Sequence, residues 1–135
     1  MTAAYLWVAL GGAAGSVMRY GIGGMVAEKY GETFPFGTLA VNVAGSFLIG
    51  FVAALAGPEG RLPAHLRVVA TQVFMAGLCG GFTTFSSFSL QTLSLMRNGE
   101  WLSAGANVVF SVVLCLFATW LGFALGAMVN NLKGS

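Results

Sequence analysis

The segment Gly77-Leu-Cys-Gly-Gly-Phe-Thr-Thr-Phe-Ser-Ser-Phe-Ser89 places polar and helix-breaking residues inside a hydrophobic part of the chain. It holds three glycines, two threonines and three serines. Gly80-Gly81 disfavours a continuous helix, because glycine loses the most backbone entropy on ordering. Non-helical backbone at membrane depth is tolerated only where it is buried in protein or lines a polar cavity. The segment therefore predicts a helix broken near residues 80–84, with a functional site at the break.

Three phenylalanines follow the glycines at intervals of three. Phe82, Phe85 and Phe88 share one side of a helix, and Thr84 and Ser87 share a neighbouring side. Small residues and Phe also pack transmembrane helices or face lipid, so packing stays open as an alternative for each residue singly. Hydroxyls beside a ladder of phenyl rings are an unusual lining for a cation path, and the whole cluster favours a site.

The composition predicts an all-α integral membrane protein. Of 135 residues, 57% are hydrophobic and 7% are charged, whereas soluble domains carry roughly 25% charged residues. We expect one domain over residues 1–135 with four transmembrane helices, at about residues 3–27, 37–56, 66–96 and 101–129. The third segment exceeds the roughly 20 residues needed to cross a bilayer, and a break near 80–84 would accommodate its length.

Few ionisable residues lie within these hydrophobic segments. All four acidic residues fall in or beside the predicted loops: Glu28, Glu32, Glu59 and Glu100. The chain shows no paired carboxylates, no Ser-His-Asp set and no phosphate-binding loop, so we do not expect an enzyme or an organic cofactor. Proton-coupled transport normally uses an ionisable group within the membrane. Cys79 and Cys115 lie in apolar segments and are expected to be small buried residues.

Two polar residues need partners at membrane depth. Arg19 must face protein, water or the interface, so it is either a buried or vestibule charge or a side chain that extends to the nearer surface. Asn42 belongs to a polar or small stripe on the second span, formed by Thr38, Asn42, Ser46 and Gly50. A hydrogen bond between helices is the commoner use of such an amide, and contact with a permeating solute is the alternative.

What these residues favour is passive permeation of an anion along hydroxyls, amides and aromatic edges. The rim of a phenyl ring is electropositive and contacts an anion without a full charge. Such weak binding suits a pore, in which an ion must enter and also leave.

Basic residues are balanced between the two predicted faces of the membrane. One side holds Arg61, Arg67 and Lys133, and the other holds Lys29 and Arg97, with Arg19 as a third. The positive-inside rule therefore has almost no asymmetry to act on. The hypothesis that follows is insertion in both orientations and function as an antiparallel dimer.

Two motifs identify a resemblance. Gly37-Thr-Leu-Ala-Val-Asn42 and Gly80-Gly-Phe-Thr-Thr-Phe-Ser-Ser-Phe88-Ser resemble the Fluc fluoride channels, also called CrcB proteins, and the similarity covers nearly the whole chain, including Gly15 to Arg19. The resemblance implies antiparallel, dual-topology homodimers in the inner cell membrane, with two pores that pass fluoride out of the cytoplasm and exclude chloride.

The resemblance also implies roles for particular residues. A structural sodium ion at the dimer centre would be held by backbone carbonyls of Gly80 and Thr83. The pore would be lined by Asn42, Phe85 and Phe88, by a hydroxyl track of Thr84 and Ser87, and by Ser111 as a further candidate.

The chain departs from the family pattern at two positions. Gln91 stands where many members have glutamate, and Asn107 stands where some have tyrosine. Two other functions stay open. A small dual-topology drug and proton exporter would need an acidic residue in the first span, where this chain has Arg19, and a non-transporting membrane subunit would use its polar stripes for packing alone.

The balanced loops predict both orientations in one functional preparation. A reporter fused to the C-terminus is expected on both sides of the membrane, because neither loop set carries an excess of basic residues. Protease protection of the reporter in inside-out vesicles measures the two fractions. Protection of all molecules, or of none, would contradict dual topology.

Overall fold

The computed structural model describes residues 2–133 as a bundle of helices. The predicted domain over 1–135 also includes Met1, Gly134 and Ser135, which lie outside the described residues. The helices are α1 (Thr2–Tyr30), α2 (Phe36–Ala56), α3 (Ala64–Val69), α4 (Gly80–Phe82), α5 (Phe85–Arg97) and α6 (Trp101–Lys133), and a π-helical segment, Ala70–Cys79, joins α3 to α4.

Three helical stretches are long and apolar enough to cross a membrane: Phe36–Ala56, Ala64–Arg97 and Trp101–Leu132. Helix α1 has 29 residues, about 43 Å at 1.5 Å per residue, so it is also long enough. It is not among the three stretches that qualify by apolarity, and its sequence includes several glycines and Arg19. The four-helix, all-α architecture is confirmed in the described residues, while the use of α1 as a fourth span stays a prediction.

Glycines with positive φ end two of the helices. Gly31 (φ +83°) follows α1 and donates its N–H to the carbonyl of Ala27 at 2.7 Å. Gly99 (φ +78°) follows α5, and the next N–H, that of Glu100, donates to Leu95 O at 2.8 Å. Only glycine adopts this left-handed conformation without a steric penalty. Both turns lie at the same end of the bundle, where residues 31 and 98 border one cavity.

Glycines also allow α1 to lie directly against the broken span. Gly11 and Gly15 are buried on α1, facing the π-helical segment and α4. A Cβ added at Gly77 would lie 2.9 Å from Gly11 Cα, and one at Gly81 would lie 2.6 Å from Gly12 O. The backbones are therefore in contact, as in other small-residue helix pairs.

Helices α2 and α6 form the most extensive pair in the bundle. They too meet at glycines: a Cβ on Gly126 would lie 2.6 Å from Ala54 Cβ, and Gly50 on α2 and Gly122 on α6 each face backbone of the other helix. The bundle thus contains two closely packed pairs, α1 with the broken span and α2 with α6.

Gly15→Ala is expected to lower the free energy of unfolding by about 1–3 kcal/mol, the usual range for overpacking. The added Cβ would lie 2.9 Å from Phe82 N and would collide with the carbonyl of Leu78. Gly21→Ala is the matched control, since nothing lies within 4 Å of its added Cβ. Chemical unfolding in detergent micelles measures both variants, and equal stability would contradict the close approach of α1.

Candidate functional site

The break in the third span lies at Thr83 and Thr84. Both residues are extended, with φ/ψ of −89°/156° and −151°/115°, whereas Gly80 is helical, with φ/ψ of −62°/−39°. The interruption predicted near 80–84 is confirmed, but the glycine pair is not itself the point of departure. Gly81 is needed instead for close packing against α1.

Asn42 on α2 replaces the helical partners that Thr84 lacks. Its Oδ1 accepts a hydrogen bond from the backbone N–H of Thr84 at 2.7 Å, and its Nδ2 donates to the carbonyl of Thr84 at 3.1 Å. One carboxamide thereby satisfies both polar backbone groups of an extended residue. The amide keeps a second N–H, because Nδ2 carries two donors.

Two other side chains satisfy backbone groups at the break. Arg19 Nε donates to Gly81 O at 3.0 Å, a carbonyl that a continuous helix would pair with the N–H of Phe85. Thr84 Oγ1 accepts from the N–H of Ser87 at 3.1 Å and caps α5. Arg19 is thus a part-buried charge, and its contact with the break fixes the position of its guanidinium.

Two cavities meet at the break. The first, the polar cavity, has a volume of about 580 Å³ and is lined by polar side chains that include Arg19, Thr38, Thr84, Ser87 and Gln91. The second, the Phe cavity, has a volume of about 410 Å³ and is lined by residues that include Asn42, Gly80, Thr83, Thr84, Phe85, Phe88 and Ser111. Thr84 lines both cavities, and Asn42 holds Thr84 in place.

This arrangement occurs in a sequence with close relatives. The sequence pattern of the family described as CrcB-like protein, Camphor Resistance (CrcB), matches residues 6–123. The chain belongs to the CrcB family. It is 59% identical to a protein of Opitutus terrae named fluoride-specific ion channel FluC. The 131 aligned residues cover 97% of this chain and 98% of the relative.

Two further relatives with the same name show similar identity and coverage. The protein of Methylocella silvestris is 53% identical over 131 residues, which cover 97% of this chain and 98% of the relative. That of Rhodospirillum rubrum is 52% identical over 129 residues, covering 94% and 97%. The similarity therefore extends through every helix that forms the two cavities.

The predicted pore residues of this CrcB-family chain divide between the two cavities. Asn42, Phe85, Phe88 and Ser111 line the Phe cavity, Ser87 lines the polar cavity, and Thr84 lines both. The rings of Phe85 and Phe88 lie 5.2 Å apart between centroids at 46°. Phe85 is 78% exposed and Phe82 is only 7% exposed. Phe82 therefore packs in the bundle, while Phe85 presents its ring outside the single chain.

Backbone carbonyls at the break fit the predicted sodium site. The N–H of Thr84, which would pair with Gly80 O in a continuous helix, donates to Asn42 instead. The carbonyl of Thr83 lies outside both flanking helices, and among residues 2–133 no donor reaches it. Gly80 and Thr83 both line the Phe cavity. Carbonyl oxygens are suitable ligands for a hard cation, so their chemistry matches the prediction.

Sequence reasoning did not find one buried network. Asn107 Nδ2 donates to Thr92 Oγ1 at 2.9 Å, and Ser111 Oγ donates to Asn107 Oδ1 at 3.3 Å. Ser111 was a predicted pore residue and Asn107 a departure from the family pattern, but Thr92 gave no periodic signal of its own. In addition, Gln91 Oε1 is buried beside the polar cavity and lacks a partner among the described residues.

Asn42→Asp is expected to lower the free energy of unfolding near pH 7 by about 1–3 kcal/mol, the usual range for an unpaired buried group. The carboxylate can still accept from the N–H of Thr84, but it cannot donate to the Thr84 carbonyl. Ser46→Ala, one turn along α2 and in the same cavity, is the control. Unfolding in detergent micelles measures both, and an Asn42→Asp variant as stable as Ser46→Ala would contradict the role of the amide.

Proposed function

We propose that this protein is a fluoride-selective passive ion channel that exports fluoride from the cytoplasm across the inner cell membrane. The observation that carries the proposal is 52–59% identity to three proteins named fluoride-specific ion channel FluC, over at least 94% of each chain. The geometry of the break supplies a physical basis for that activity.

The polar cavity would receive the hydrated anion. The lining carries one positive and one negative side chain, Arg19 and Glu32, and only Nε of the Arg19 guanidinium is committed, to the Gly81 carbonyl. The remaining guanidinium N–H groups of Arg19 can donate charge-assisted hydrogen bonds to an anion in this cavity. The hydroxyls of Thr84 and Ser87 line the same cavity and can donate as water is removed from the ion.

The break itself would pass the ion between the cavities. The first N–H groups of α5, at Phe85 and Ser86, reach no acceptor among the described residues, and a helix N-terminus favours negative charge. The second N–H of Asn42 adds a neutral donor at the same place. Beyond it, the edges of Phe85 and Phe88 and the hydroxyl of Ser111 line the Phe cavity. These contacts are weak enough for the ion to leave.

We further propose that two copies in opposite orientations complete two pores. Support comes from the balanced loop charges and from the ring of Phe85, which is 78% exposed in one copy. The carbonyls of Gly80 and Thr83, freed by the break, would come from both copies and hold a structural sodium ion. The ion would supply positive charge that offsets the carbonyl dipoles at the dimer centre.

Phe85→Ile and Phe88→Ile are each expected to reduce fluoride efflux about three- to tenfold, because an aliphatic side chain has no electropositive rim. Phe117→Ile is the control, since Phe117 is half exposed on α6 and lines neither cavity. A fluoride electrode records efflux from liposomes loaded with fluoride. Undiminished efflux in both ring variants would remove the rings from the mechanism.

The wild-type trace in the same assay separates the alternatives. Electrogenic fluoride efflux without a proton gradient supports the channel. Fluoride efflux that requires a proton gradient would favour the exporter. No fluoride efflux under either condition would favour the non-transporting subunit.

A further inference from the structure

A chain of hydrogen bonds runs from α6 to the helix that carries the phenyl rings. Ser111 Oγ donates to Asn107 Oδ1 at 3.3 Å, Asn107 Nδ2 donates to Thr92 Oγ1 at 2.9 Å, and Thr92 Oγ1 donates to Phe88 O at 2.7 Å. Asn107 is 2% exposed, Thr92 is 6% and Ser111 is 8%. The chain of bonds begins and ends at residues that line the Phe cavity, Ser111 and Phe88.

The direction of every bond is fixed by chemistry. The Phe88 carbonyl can only accept, so the single proton of the Thr92 hydroxyl points toward it. Thr92 Oγ1 can then only accept from α6, which requires the NH2 end of Asn107 to face it. Asn107 Oδ1 is left toward Ser111, whose hydroxyl donates. A carboxamide meets both demands at this position, and an apolar side chain of the same size meets neither.

Helix α5 makes few other contacts with the rest of the bundle. It packs against α6 much less extensively than α2 packs against α6, and it makes very few contacts with α2. Within residues 2–133, the bond from Asn107 to Thr92 is the one side-chain hydrogen bond that joins α5 to another helix. The amide of Asn42 holds Thr84, just before the first turn. Asn107 therefore supplies the second point that sets the rotation and depth of α5.

We propose that Asn107 is a positioning residue for Phe88: through Thr92 it holds the backbone of Phe88, and with it the Phe88 ring, beside the α6 residues that line the Phe cavity. This inference rests on the proposed function for its effect on fluoride. The geometric part, which concerns the placement of the Phe88 ring, stands independently of what the cavity conducts.

Two substitutions at Thr92 separate positioning from packing. Thr92→Val keeps the volume and the methyl group but removes the hydroxyl, so it breaks both bonds. Thr92→Ser keeps the hydroxyl and removes the methyl group. The expected result is a fluoride efflux about tenfold lower in Thr92→Val and within about twofold of wild type in Thr92→Ser. A role in packing alone would give the opposite order.

Asn107→Leu tests the other end of the chain of hydrogen bonds. It is expected to match Thr92→Val in efflux and in the ratio of fluoride to chloride permeation. The double variant Asn107→Leu with Thr92→Val is expected to show the same fluoride efflux as either single variant, because both substitutions break the same chain of hydrogen bonds. Additive losses, or wild-type efflux in Asn107→Leu, would overturn the proposal.

A spectroscopic readout keeps the inference separate from the proposed function. With 4-fluorophenylalanine at position 88 of the full chain, the ¹⁹F resonance reports the surroundings of the ring. It is expected to shift or broaden in Thr92→Val and Asn107→Leu and to stay in place in Thr92→Ser. If wild-type protein carries no fluoride, the proposed function fails and this resonance alone decides: an unchanged signal in all three variants overturns the positioning role.

Discussion

The carboxamide of Asn42, bonded to both polar groups of the Thr84 backbone, is the interaction on which the rest of the structure depends. An extended residue within an apolar span would leave an N–H and a carbonyl unpaired, at several kcal/mol each in lipid. Asn42, which lies on α2, pairs both groups and so removes that penalty. Arg19, which lies on α1, donates to the neighbouring Gly81 carbonyl. The break can therefore persist within the span, with its remaining polar groups available for the proposed ion contacts.

Such contacts require helices that lie close together, which explains the glycines. Arg19 meets Gly81 because Gly15 and Gly81 let the backbones of α1 and α4 touch. The same break exposes two kinds of backbone group. The carbonyls at the end of α4 suit a cation, and the N–H groups at the start of α5 suit an anion. One interruption thus accounts for both the proposed structural cation and the proposed fluoride path.

Much of this could be predicted from the sequence. Hydrophobic segments and loop residues located four helices within a few residues of their bounds, and the cluster from Gly80 to Phe88 located the break. The position of the break at Thr83 could not be predicted, because the intrinsic helix penalty of Gly81 is outweighed by contact with α1. The partner of Asn42 is backbone, which side-chain patterns do not show. Thr92 was missed since a single buried hydroxyl has no periodicity.

The central claim is that fluoride crosses the break by contacting the amide that stabilises it. The most direct test is the NMR signal of the Asn42 side-chain amide in lipid nanodiscs during titration with fluoride, with chloride as the comparison. The account predicts that the amide proton not bonded to Thr84 moves downfield with fluoride and stays unchanged with chloride. Identical spectra in both salts, with the channel conducting fluoride, would contradict it.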